Sequence, residues 1–206
     1  MQQAWAPNAD GVARMIDAAL ILCADHELNA SSFTARCVAS TGATPYAAVI
    51  AALSALQGYK HGGATREVAM FLREAGTDPI GATQRRLRHG LRLPGFGHPL
   101  YEQGDPRGKM LLTLALRYCG DASTLACAEQ IVLVARQAMQ LEPNIDFGLA
   151  VLAQGAALPS YAPFGLFALG RTAGWIGHII EEYGHDRLIR PRARYVGVQS
   201  ISTMFN

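Results

Sequence analysis

PFGLFALGRTAGWIGHIIEE, residues 163–182, decides the fold class. Its apolar and small residues recur at helical spacing, and it lacks the strict alternation of a half-buried strand. Arg171 and His178 interrupt the best apolar run of the chain, residues 162–180, so it lacks the roughly 18 to 20 apolar residues a membrane span needs. Arg171 is also the first sign of function. Within residues 164–180 its only ionisable company is His178, and an unpaired guanidinium in such surroundings costs several kcal/mol. It therefore calls for an anion, either an internal carboxylate or a bound carboxylate ligand.

Working outward, the same period appears almost everywhere, with no strand alternation, hairpin signal or internal repeat, and the predicted fold is all-α. Residues 10–23 read as a helix that Asp10 can cap, with Val12, Met15, Ile16, Ala19 and Leu20 on one face. A second helix over 31–40 ends at the Thr41-Gly42 turn signal. In 45–56 the large groups Tyr46, Val49, Ile50, Leu53 and Leu56 form a stripe among alanines, a pattern for burial on nearly all sides in a large core or a subunit interface. Helices are expected over 67–74, 81–89, 105–119, 124–141 and 145–157, with a Gly- and Pro-rich loop over 93–106. The middle of the chain is more polar than its flanks. This divides it into a large helical body, residues 1–62 and 146–206, and a smaller inserted one, residues 63–145, with a cleft between them as the expected ligand site.

Composition narrows the function. At 206 residues and 50% hydrophobic, the chain can bury one substantial core or two that share a cleft. Its 18 basic and 16 acidic residues are scattered, which argues against nucleic acid as a partner. Residues 1–9 have neither basic residues nor an apolar core, so no signal peptide is expected and the expected location is cytoplasmic. Cys23, Cys37, Cys119 and Cys127 show no paired short spacing and read as reduced core thiols. No metal site is expected; residues 24–27, ADHE, could pass for one, but helix neighbours point in different directions.

Asp146 opens an apolar segment, where it can cap a helix or act as a poised base. His61 and His98 adjoin glycines, which allow a backbone to approach a ligand closely, although such histidines are common in turns.

Several stretches together resemble the citrate synthase family: ADHELNAS at 24–31, KHGGA at 60–64, PGFGH at 94–98 with DPR at 105–107, NIDF at 144–147, LFALGRTAGW at 166–175 and IRPR at 189–192. The resemblance runs over residues 12–197 and keeps the family's order and approximate spacing. It implies an all-helical, two-domain homodimer that joins an acyl-CoA methyl carbon to oxaloacetate and hydrolyses the citryl thioester, as in the tricarboxylic acid cycle. The coenzyme A thioester is a co-substrate, and no permanently bound cofactor is implied. Asp146 would take the methyl proton, His61 would support the thioester oxygen and His98 the ketone oxygen. His26, Arg107 and Arg171 would hold carboxylates, with Arg190 reaching into the partner subunit's site. The loop Leu93, Pro94, Gly95, Phe96 and Gly97 would meet the coenzyme.

The chain departs from the family pattern in length, which suits a fragment or a short branch such as the citryl-CoA lyases. It also carries Glu102 where a base commonly binds coenzyme phosphates, Thr65 in place of Asn, and Pro99 after His98. Acetyl and propionyl substrates both remain open, since one methylene shifts preference by only about 1 to 3 kcal/mol. Two other readings stay open, a citryl-CoA lyase and a non-catalytic domain that binds oxaloacetate or citrate.

Overall fold

A computed structural model describes residues 1–5 and 11–197. Among the described residues there is no strand, and ten helices run in order: α1 Gln2–Trp5, α2 Val12–Ala24, α3 Ala30–Ala39, α4 Pro45–Leu56, α5 Ala64–Ala75, α6 Pro79–Arg88, α7 Pro106–Tyr118, α8 Ala122–Met139, α9 Ile145–Gly155 and α10 Ala162–Tyr183. The all-α expectation holds, with boundaries shifted by a few residues. The expected cap Asp10 lies outside the described residues, and Gly11, at φ 84°, occupies the cap position of α2.

Short polar side chains start most of these helices. Asn29, Thr44, Asp78, Asp105, Asp121 and Asn144 each accept a hydrogen bond from a backbone N–H in the first turn they precede. Asn144 therefore caps α9, and the cap reading of Asp146 is excluded, because Asp146 lies inside the first turn.

Apolar side chains gather into two cores. The first joins α2, α3, α4 and α10 around Met15, Trp175 and Leu166, with Leu111, Leu149 and Leu152 entering from α7 and α9. The second joins α5, α6 and α8 around Phe71, Leu72 and Ile131, with Phe96 from the loop and Phe147 and Val151 from α9. Helix α9 belongs to both, which explains why it is apolar on all sides. In helix α4 the core face is Ala48, Ala52 and Leu56, with Val49 and Leu53 partly buried against it, while Tyr46 and Ile50 are 81% and 63% exposed in the single chain. None of the helices described is long and apolar enough to cross a membrane.

Candidate active site

Three chain segments converge on the start of α9. The loop at 95–97 runs antiparallel to residues 142–144: Gly97 N–H donates to the Glu142 carbonyl, and Asn144 N–H to the Gly95 carbonyl, each at 2.9 Å. The Asn144 amide reaches the Gly97 carbonyl at 3.0 Å. Gly95 sits at φ 81°, and a Cβ there would come within 2.8 Å of both Phe147 and Val68, so glycine is required by conformation and by space. This pairing brings His98 beside the helix that carries Asp146. The side chains of Leu93 and Phe96 are buried in the second core, leaving the loop's backbone as the part available to a ligand.

Asp105, 3% exposed, organises this corner. Its carboxylate accepts from Arg107 Nε at 2.9 Å and Nη2 at 3.0 Å, and its Oδ2 also accepts from the Ile145 N–H at 3.0 Å, tying the loop to the first residue of α9. These hydrogen bonds hold the Asp105 carboxyl below the usual carboxylate range against its burial. Sequence reading gave Asp105 no role beyond starting a helix, and its place before Pro106 was the available signal.

Arg107 then reaches across to the turn after α2. Its Nη1 donates to the Asp25 carbonyl at 3.0 Å and meets His26 Nδ1 at 2.9 Å. A guanidinium only donates, so His26 Nδ1 accepts and the proton of the neutral ring sits on Nε2. Desolvation first, then the charges of Arg107, His98, Arg171 and His61, push His26 down to about 4, so the ring is neutral at physiological pH. His98 is built alike: Leu100 N–H donates to its Nδ1 at 3.2 Å, Nε2 keeps the proton, and burial and Arg107 lower its pKa. The two rings stand edge to face with centroids 5.6 Å apart. The pocket therefore presents two neutral N–H donors side by side.

Arg171 is 1% exposed and lies within reach of this group. Its Nη1 donates to the Ala24 carbonyl, and its Nη2 to the Glu27 carbonyl at 2.7 Å and to the Ser32 hydroxyl. These partners are neutral, and among the described residues its Nε has none. Of the two sequence readings, the internal ion pair is not the one found. His61 completes the set, with Nε2 2.9 Å from the Ser31 hydroxyl, which donates its proton to Asn29 Oδ1 at 2.8 Å and so accepts from both His61 Nε2 and Trp175 Nε1, the latter at 3.2 Å. Burial and then Arg171 lower the His61 pKa.

Asp146 is only partly covered at its surface, but the protein around it strips enough hydration to push its carboxyl up to about 6. A hydrogen bond from Thr65 and the charge of Arg107 oppose that rise, and Asp105 adds to it. Because Asp105 neutralises Arg107, little net positive field reaches Asp146. Arg190 remains apart: it is exposed in the segment after α10, outside this pocket. Asp25, His26 and Glu27 lie in the turn after α2 rather than within the helix, and no metal-holding group of His, Cys, Asp and Glu occurs among the described residues. A groove of about 880 Å³ between α7 and α8, lined by Leu112, Leu116, Leu125 and Val132, meets the site only at Asp105. The convergence of donors and charges, not that groove, marks the candidate active site.

Comparison with known proteins identifies the chain's relatives. The family model described as citrate synthase, C-terminal domain, matches residues 1–192. Citrate synthase 2 of Bacillus subtilis is 38% identical over 186 residues, which cover 87% of this chain and 50% of that protein. Among solved structures, citrate synthase of Thermoplasma acidophilum, in ternary complex with carboxymethyl coenzyme A and oxaloacetate, superposes with a TM-score of 0.81 at 31% identity, covering 95% of this chain and 55% of that one. Citryl-CoA lyase of Hydrogenobacter thermophilus gives 0.80 at 26% identity, covering 95% and 80%. The chain spans about half the length of the curated relatives it matches, and it belongs to the citrate synthase family.

Proposed function

We propose that this chain carries the reactive centre of an enzyme that condenses an acyl-CoA, acetyl-CoA or propionyl-CoA, with oxaloacetate and hydrolyses the resulting thioester. The carrying observation is Asp146, a carboxylate lifted to about 6 within the field of Arg107, the arginine that also meets the neutral His26 ring. At neutral pH it is mostly ionised yet more basic than an ordinary carboxylate, which suits removal of a weakly acidic methyl proton. His98 donates through Nε2 to the ketone oxygen and makes that carbon more electrophilic. His26, Arg107 and Arg171 bind the two carboxylates, Arg107 through N–H groups left over from its fork on Asp105 and Arg171 through its unpartnered Nε and remaining Nη hydrogens.

His61 supports the developing thioester oxyanion. As it stands the ring donates through Nε2 to Ser31; to donate through Nδ1 instead, the Ser31 hydroxyl must turn its proton from Asn29 Oδ1 to Nε2, while the Trp175 N–H holds the hydroxyl oxygen. The body of residues 63–145 closes on residues 1–62 and 146–206, excluding water during condensation and admitting it for hydrolysis. The loop backbone at Leu93 to Gly97 meets the coenzyme, and a cytoplasmic homodimer forms through the open Tyr46 and Ile50 face of α4, bringing Arg190 to the partner's pocket.

The test mixes the protein with oxaloacetate and acetyl-CoA and follows free thiol; release that vanishes in Asp146→Ala supports the proposal. The likeness to the citryl-CoA lyase, 80% of whose chain is covered, favours one second reading. Cleavage of added citryl-CoA without thiol release from the first mixture would establish it instead. If neither reaction occurs while oxaloacetate raises Tm, the chain is a binding module.

A further inference from the structure

Behind the pocket lies a polar cluster that the proposed reaction leaves unused. From α3, Arg36 sends Nη1 to Glu181 Oε2 and Nη2 to Glu182 Oε2, both at 2.8 Å, and Glu182 is 3% exposed. The same Nη1 meets His178 Nδ1 at 3.2 Å. Since the guanidinium can only donate, Nδ1 accepts, and the proton of the neutral ring is on Nε2. With Nδ1 taken by Arg36, Nε2–H is left to the side of the ring that faces the Glu27 backbone.

The Glu27 carbonyl accepts from Arg171 Nη2 at 2.7 Å. Glu27 stands at φ 51°, a left-handed conformation that costs a residue with a Cβ roughly 1 kcal/mol. Such a turn persists only where its surroundings hold it. Its N-terminal neighbour is His26, whose ring is part of the pocket.

We infer that His178 is a positioning residue for the carboxylate end of the site: its Nε2–H holds the Glu27 carbonyl, and with it the left-handed turn that aims His26 and steadies Arg171. The use of the site for oxaloacetate rests on the function proposed above; the geometry of the turn does not. The groups that face His178 are Arg36 from α3, Arg171 and Glu181 from its own helix, and the turn carrying Glu27, with Glu182 and His185 beyond Arg36. Burial and the two arginines keep the ring neutral by lowering its pKa, consistent with the single tautomer.

Two substitutions separate positioning from mere packing. In His178→Gln the amide nitrogen can still reach Glu27, whereas in His178→Asn an acceptor remains for Arg36 but the side chain falls short of the turn. Oxaloacetate affinity by titration calorimetry should stay near the parent value in His178→Gln and fall about tenfold in His178→Asn, the scale of one lost hydrogen bond to a buried carbonyl. In the unliganded protein, the His26 side-chain nitrogen resonances should move in His178→Asn and hold in His178→Gln. Equal losses in both variants, or a His26 signal unmoved in His178→Asn, would overturn the inference. A parent protein that binds no oxaloacetate sinks the functional reading, while the His26 resonances still decide the positioning role.

Discussion

Arg107 and Arg171 approach the same pocket from different elements, the start of α7 and the middle of α10, and both are buried. Arg107 carries its own counterion in Asp105, at 2.9 Å, and extends a remaining N–H to His26. Among the described residues, Arg171 donates to two carbonyls and a hydroxyl. One guanidinium is thus structurally complete, while the other has no ion pair among the described residues and feels only the more distant charge of Asp25. A buried cation held by neutral acceptors retains its appetite for an anion, so Arg171 is the stronger pointer to a carboxylate ligand. The pair also explains Asp146: the closer arginine is already neutralised, so burial prevails and its carboxyl rises.

The largest expected effect comes from breaking the completed pair. Asp105→Asn leaves Arg107 buried without its counterion and weakens the acceptor for the Ile145 N–H, and should destabilise the protein by about 3 to 5 kcal/mol in urea unfolding. A cost below about 1 kcal/mol would show that the corner does not depend on this charge.

Arg171→Leu should act on the other side of the comparison. It orphans two carbonyls but also removes an unpaired buried charge, so the unliganded protein should lose only about 1 to 2 kcal/mol. The rise in Tm produced by oxaloacetate in the parent should disappear in the same variant. An unfolding cost equal to that of Asp105→Asn would mean that the two arginines serve the fold alike.

The third expectation concerns Asp146 and pH. Its folded pKa lies above the unfolded value, so folding favours the protonated carboxyl, and stability is fully present below about 4 and lost as pH rises towards about 6. Asp146→Asn should therefore be more stable than the parent at pH 7.5, by about 1 to 3 kcal/mol, with the advantage gone near pH 4. The measurement is Tm against pH for the two proteins; parallel curves would contradict the raised pKa.

Much of this was legible in the chain itself. The helical period over residues 163–182 and its neighbours predicts an all-α fold, because an amphipathic face is written in local spacing. The glycines around His61 and His98 and the lone Arg171 are likewise local signals. Other features were hidden because they depend on partners far along the chain. The packing of α4 is one case, since composition alone could not tell that Ala48 and Ala52 face the core while Tyr46 and Ile50 stay open.

Sequence by itself determined the helices, the unusual residues within them and the resemblance that ties them together. Tertiary structure alone decided which arginine is neutralised, which ring nitrogen carries each proton, and that Asn144 rather than Asp146 caps α9. The physical reason is range. Helix period and capping act within a few residues, whereas burial, hydrogen-bond partnership and the resulting titration arise from groups that only folding brings within a few ångströms.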